Sequence, residues 1–215
     1  GREVFMQLEV VTEELKDKPH SLIAIDNVPN LDQHDTEDLI DRIRGLRAMG
    51  IGVFISCRPS NRQLIHGLGD SVKINAQMLK VHAYEYSAWA SAFSISTSLD
   101  FYQLTQGVPE LVSAMQSGLY GQGDVAQMLE NEIVNIYGAA LVDLASLENN
   151  ALFSVACLMV LMGEGNISEL EACGVRLSAI DQSYLVRDYP IFGVDPADRS
   201  FTCLGTEDNA RLRLR

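Results

Sequence analysis

The chain has 215 residues, 47% hydrophobic and 21% charged, the composition of a folded globular protein, which excludes wholesale disorder. A chain of this length buries about 70% of its unfolded surface, so its core needs no disulfide or metal staple. Sixteen basic and twenty-nine acidic residues leave a formal charge of −13, which excludes a surface built as a whole to bind phosphates. No apolar run approaches the roughly 18 residues of a transmembrane helix, so no membrane partner is expected. The opening GREVFMQLEVV lacks the basic and apolar regions of a signal peptide, and a cytoplasmic location is the expectation. Its leading Gly reads as a tag scar, so the chain is expected to be a piece of something longer. Cys57, Cys157, Cys173 and Cys203 form no CxxC pair, and His20, His34, His66 and His82 form no HxH or HExxH. Free thiols are therefore expected, without a zinc site.

In chain order, Val4, Phe5, Leu8, Val11 and Leu15 recur at helical spacing and predict a helix over 2–17, stopped by Pro19. SLIAIDNV (21–28) is a continuous apolar run ending in Asp26, the pattern of a strand buried on both faces of a parallel sheet. A helix is predicted over 36–49, with Leu39, Ile43 and Leu46 inward and Gly50 as its C-cap. IGVFISC (51–57) is a second strand, a short helix follows near 61–67, and DSVKINA predicts a third strand around 71–75. Alternating strands and helices spell a parallel sheet.

From 83 onward the period is helical: 84–93, 98–106, 109–117, 124–147, 149–162, 166–172 and 176–186. Two short strands, IFGVD and SFTCL, close the chain around PADR. Three helices and then a hairpin is the order of a winged helix. The fold class is thus α/β plus all-α, with pieces at 1–82, 83–147 and 148–215.

Three features carry chemistry. Asp26 ends a strand where α/β sheets place ligands, although an aspartate there also serves as a loop cap. Arg58 closes the next strand, and its guanidinium fork suits a phosphate as well as a salt bridge. In TQGVPELV, Gly107 ends one helix and Pro109 opens another, which plain helix punctuation also explains.

In this order, the three resemble the STAND branch of AAA+-like ATPases, which includes NB-ARC proteins and MalT-like, LuxR-type bacterial transcription regulators. Asp26 resembles the Walker B aspartate, Arg58 the arginine closing the sensor 1 strand, and Gly107-Val108-Pro109 the Gly-x-Pro motif of the helical lid. The resemblance implies the C-terminal part of a P-loop NTPase-like sheet, a helical lid and a winged helix. It implies ATP or ADP with Mg²⁺, Asp26 holding the metal through water, Arg58 near the terminal phosphate and Pro109 against adenine. The chain departs from the family in two ways. No GxxxxGK[ST] loop is present, and Asn27 stands where a second acid would polarise water. No catalytic residue is therefore assigned, and the chain alone is not expected to act as an ATPase.

Other features have plainer readings. Asp32, Asp35, Glu37, Asp38 and Asp41 suit a solvated helix N-terminus rather than an EF-hand loop. Tyr84, Tyr86, Trp89 and Phe93 fit lid core better than base stacking, and the RLRLR ending suits a strand or linker. The function expected is the nucleotide-dependent switch core of a cytoplasmic signal-transduction ATPase, part of a transcription regulator. Its partners would be other domains of the same polypeptide or a second copy, with DNA bound only through a domain outside this chain. The rival reading is a non-enzymatic interaction module on a degenerate ATPase fold. Direct DNA binding by 148–215 is disfavoured by ten acids against six bases there.

Overall fold

A computed structural model describes residues 2–18, 20–82, 84–85, 102, 105–120, 125–147 and 150–205. The chain divides into two compact units, residues 1–73 and 74–215.

In the first unit, α1 (Arg2–Leu15) precedes β1 (Leu22–Val28), α2 (Gln33–Ala48), β2 (Gly52–Cys57) and α3 (Arg62–Gly67). β1 and β2 pair in parallel, Leu22 opposite Gly52 and Ile25 opposite Ile55. α2 forms where its sequence offers both ends. Asp32 accepts a hydrogen bond from the Asp35 N–H at 2.8 Å, so the helix starts three residues earlier than predicted. At the other end Gly50, at φ 77°, donates to Arg47 O while Ile51 N–H reaches back to Leu46 O. That is a Schellman stop, closed by the buried pair Leu46 and Ile51. Between these ends Thr36, Leu39, Ile40, Ile43 and Leu46 form one buried stripe. The stripe packs with Leu8 of α1 and Ile23 and Val28 of β1 into a single core.

Two expectations fail here. The strands are covered on one face only: Leu22 is 73% exposed and Phe54 54%. A continuous apolar run signals strand, but it does not say how many layers lie against it. The strand expected around 71–75 is absent, since the segment has no ladder partner and Val72 is 91% exposed. Alternating apolar residues make a strand only when a neighbouring edge supplies the hydrogen bonds.

The second unit begins with a 3₁₀ turn (Ala76–Leu79) and continues with α4 (Pro109–Tyr120), α5 (Val125–Ala145) and α6 (Asn150–Met162). After these come β3 (Glu164–Asn166), α7 (Ile167–Ala172), α8 (Ala179–Asp188), β4 (Phe192–Asp195) and β5 (Ser200–Cys203). The two strands predicted at the end form an antiparallel pair, with β3, which was not predicted, on the far side of β5. The helices predicted at 84–93 and 98–106 lie almost wholly outside the described residues, as do Tyr86, Trp89, Phe93 and RLRLR. One apolar core runs from Val108 to Leu204, so the segments read as 83–147 and 148–215 share their buried surface. Leu111 and Met115 of α4, Leu144 of α5, Met159 of α6 and Phe201 of β5 are fully buried in it. All four cysteines are free thiols.

Hydrogen bonds from α5 fix how this core closes. Tyr137 Oη donates to Leu204 O at 2.7 Å, and Asp143 Oδ2 accepts from Tyr189 Oη at 2.6 Å. Asp143 is 3% exposed, so its carboxyl group sits where an unpartnered polar atom is expensive. Burial first, then the hydrogen bond to Asp143, pushes the Tyr189 phenol far above its ordinary pKa. A raised folded pKa means that Tyr189 stabilises the fold below the unfolded tyrosine value, about 10, and loses that contribution above it. Tyr189→Phe should therefore lower stability by about 1–3 kcal/mol at pH 8. The deficit should shrink by up to about 1.4 kcal/mol at pH 11, because the variant lacks the alkaline slope. Urea melts of both proteins at the two pH values check this, and a pH-independent deficit would count against it.

Local backbone geometry requires a glycine at 107. Its φ is 73°, its carbonyl accepts from Val81 N–H at 2.8 Å, and an added Cβ would stand 2.1 Å from Val81 O. Gly107→Ala meets both backbone strain and a clash with a main-chain carbonyl, neither of which a side-chain rotation relieves. A loss of about 2 kcal/mol or more is expected in thermal or urea unfolding.

Candidate functional site

β1 and β2 run in the same direction, so their C-terminal ends, and the loops that follow, lie at one edge of the sheet. Asp26 and Arg58 are brought there together, one near the end of β1 and the other directly after β2. Both are exposed.

The edge is not a simple continuation of the ladder. Ile25 pairs with Ile55, but Val28 pairs with Cys57, so β1 advances three residues while β2 advances two. The extra residue is a bulge at Asp26-Asn27, opposite Ser56, and bulges re-aim side chains at sheet ends. Asn27 takes the left-handed conformation, φ 54°, which Asn tolerates better than most residues. Ser56 fills the gap in the ladder: its Oγ accepts the Asn27 N–H at 2.7 Å and donates to Asp26 Oδ1.

The two loops beyond the strands are stitched to each other. Asn61, 5% exposed, donates from Nδ2 to Pro29 O at 3.0 Å, and Asn30 Nδ2 donates to Ser60 Oγ at 2.9 Å. Both bonds join a residue after β1 to one after β2, so the loop carrying Arg58 keeps its place beside Asp26. The acidic residues of α2 have local work: Asp32 caps, Asp38 pairs with Arg42 and Asp41 with Arg44. Among the described residues, no group of three or more His, Cys, Asp or Glu is arranged to hold a metal.

Pro109 lies in the other unit, as the first residue of α4. It lines a shallow groove between α4 and α5 with Glu110, Ser113, Ala114, Met128, Asn131 and Glu132. Pro109, Ala114 and Met128 give the groove apolar surface, and the charged residues of this lining, Glu110 and Glu132, are both acidic. Such a lining suits a neutral heterocycle or an apolar side chain and repels a phosphate.

Ser56, Asn61 and Asn30 were not singled out from sequence. The signal for Ser56 was a hydroxyl inside the apolar run IGVFISC, where burial alone gives no reason for one. The asparagines carried no such signal, because their partners lie about thirty positions away. Among the described residues no helix is long and apolar enough to cross a membrane. No protein-family profile, curated protein or solved structure matches the chain.

Proposed function

We propose that the chain is the nucleotide-dependent switch core of a signal-transduction ATPase that forms part of a cytoplasmic transcription regulator. The observation that carries this reading is the arrival of Asp26 and Arg58 at the same C-terminal edge of a parallel strand pair. One oxygen of Asp26 is committed to Ser56 and the exposed remainder of the carboxylate suits a hard cation approached through water. Arg58, exposed at the same sheet edge, suits the terminal phosphate of a nucleotide; in the other unit, the groove of Pro109, Ala114 and Met128 has by itself the apolar character that a heterocycle such as adenine takes. Mg²⁺ would neutralise phosphate charge; the chain's own share is to hold that ion and to sense the last phosphate. Over residues 150–203 the order helix, short strand, helix, helix, hairpin supports a winged helix. Its third helix, α8, turns Tyr184 and Leu185 into the core and ends in an Arg187–Asp188 ion pair, so a protein-facing role fits it better than DNA. DNA would be bound by a domain outside these residues, and the partners here would be domains of the same polypeptide or a second copy.

The open face of the β1–β2 sheet, whose outer edges have no ladder partner among the described residues, favours one further element of the reading. A parallel pair exposing Leu22 and Phe54 supports a sheet that another strand completes. The same surface favours the rival reading, an interaction module on a degenerate ATPase fold. Nucleotide binding separates the two.

In a form of the protein that carries a phosphate-binding loop, Arg58→Ala should weaken triphosphate binding about 10- to 150-fold, the 1.5–3 kcal/mol of a charge-assisted bond. Diphosphate binding should change less, and calorimetry giving equal losses for both overturns the role of Arg58. The 215 residues by themselves lack the nest of N–H groups and the lysine that grip phosphates. Their net charge of −13 also repels a nucleotide at long range. A fluorescent ATP analogue with Mg²⁺ should bind them with Kd weaker than about 1 mM. Saturable binding at low micromolar concentration that Asp26→Ala abolishes would show the site complete without such a loop.

A further inference from the structure

We infer that Ser56 is a positioning residue of the strand-end site, acting through Asp26 and Asn27 rather than on a ligand. Its hydroxyl is the one group opposite the bulge that satisfies both residues of the extra step. Because Oγ accepts the Asn27 N–H, its single proton is left to point at Asp26 Oδ1, so the polarity of the bridge is fixed. The backbone bond holds Asn27 in its left-handed turn, and the carboxyl bond holds Asp26 in one rotamer. Asp26 makes no ion pair among the described residues, so Ser56 orients the carboxylate without cancelling its charge. A lysine or arginine in the same place would orient it and neutralise it together.

The geometry stands by itself; what the oriented carboxylate serves, a hydrated divalent cation, rests on the nucleotide reading. Serine is needed for its combination of donor and acceptor on a short arm. Threonine preserves that combination and suits a strand better, whereas alanine removes both bonds at little change in volume.

Isotope-labelled 215-residue chain, with Ser56→Ala and Ser56→Thr, provides the test by NMR. In Ser56→Ala the Asn27 amide should exchange with solvent at least about tenfold faster, and the Asp26 side-chain carboxyl carbon should shift. Ser56→Thr should restore both signals toward the parent. A serine that merely fills space would leave both signals unchanged in the alanine variant, and that result overturns the inference. Should Ser56→Ala lose the fold in circular dichroism, Ser56→Cys, similar in size with a weak donor, is read the same way. Asp26→Asn keeps an acceptor for Ser56 while removing the charge, so it reports on the nucleotide reading separately. Survival of a Mg²⁺-dependent nucleotide response in that variant, in a nucleotide-binding form, sinks the reading and leaves the bridge standing.

Discussion

Two parallel strands cannot be joined by a hairpin, and everything at the candidate site follows from that constraint. The crossover must be long enough to return the chain to the starting edge, and α2 supplies it with a defined beginning at Asp32 and a defined stop at Gly50. Its buried stripe holds it against the covered face of β1 and β2. Had the strands been antiparallel, Asp26 and Arg58 would emerge at opposite ends of the pair. Parallel pairing brings an acidic and a basic residue to one edge, and the Asn61 and Asn30 stitches link the two loops.

The second unit obeys a different constraint. Its core is large and apolar, and apolar contact is non-directional, so many packings of similar area compete. Directional bonds reduce that choice. Tyr137 and Asp143 both lie on α5 and reach into the C-terminal part of the unit, to Leu204 O and Tyr189 Oη. Tyr184 meets Tyr189 edge-on, ring centroids 5.6 Å apart, which leaves the Tyr189 hydroxyl little freedom to turn elsewhere. The bond from a buried carboxyl group to that phenol ties α5 to the residue that follows α8. Any movement of one relative to the other strains or breaks that buried bond, which costs free energy in the core.

Most helices were legible because their periodicity is a local property: α1, α2, α3 and the run from α4 to α8 lie within a few residues of their expected places. β1 and β2 were legible for the same reason. What could not be read depended on partners distant in sequence. β3 is Glu164-Gly165-Asn166, with no apolar alternation, and exists because Ser200, Phe201 and Thr202 offer it an edge. Residues 71–75 have the alternation but join no edge among the described residues, and stay unpaired. The bulge at Asp26-Asn27 is a mismatch between two strands, invisible in either alone, although an Asn before a loop hinted at a left-handed turn. Asp143, a lone acid in the apolar sequence LVDLA, was a readable signal of a buried polar bond and was passed over.

Under the nucleotide reading, the bulge also bears on what kind of ATPase this edge could serve. Asn27 has its N–H engaged by Ser56 and carries an amide, which cannot take a proton from water at neutral pH. Placing an acid there would set two carboxylates on consecutive residues, with Arg58 the nearby cation to offset them. With one carboxylate, that reading would leave Arg58 available to a terminal phosphate instead of drawing it into an ion pair with the protein. Under the same reading the strand end would be better suited to recognising a phosphate than to activating its attacker. A protein with such an edge would dwell in the nucleotide-bound state rather than cycle rapidly through it, and dwelling is what a switch requires.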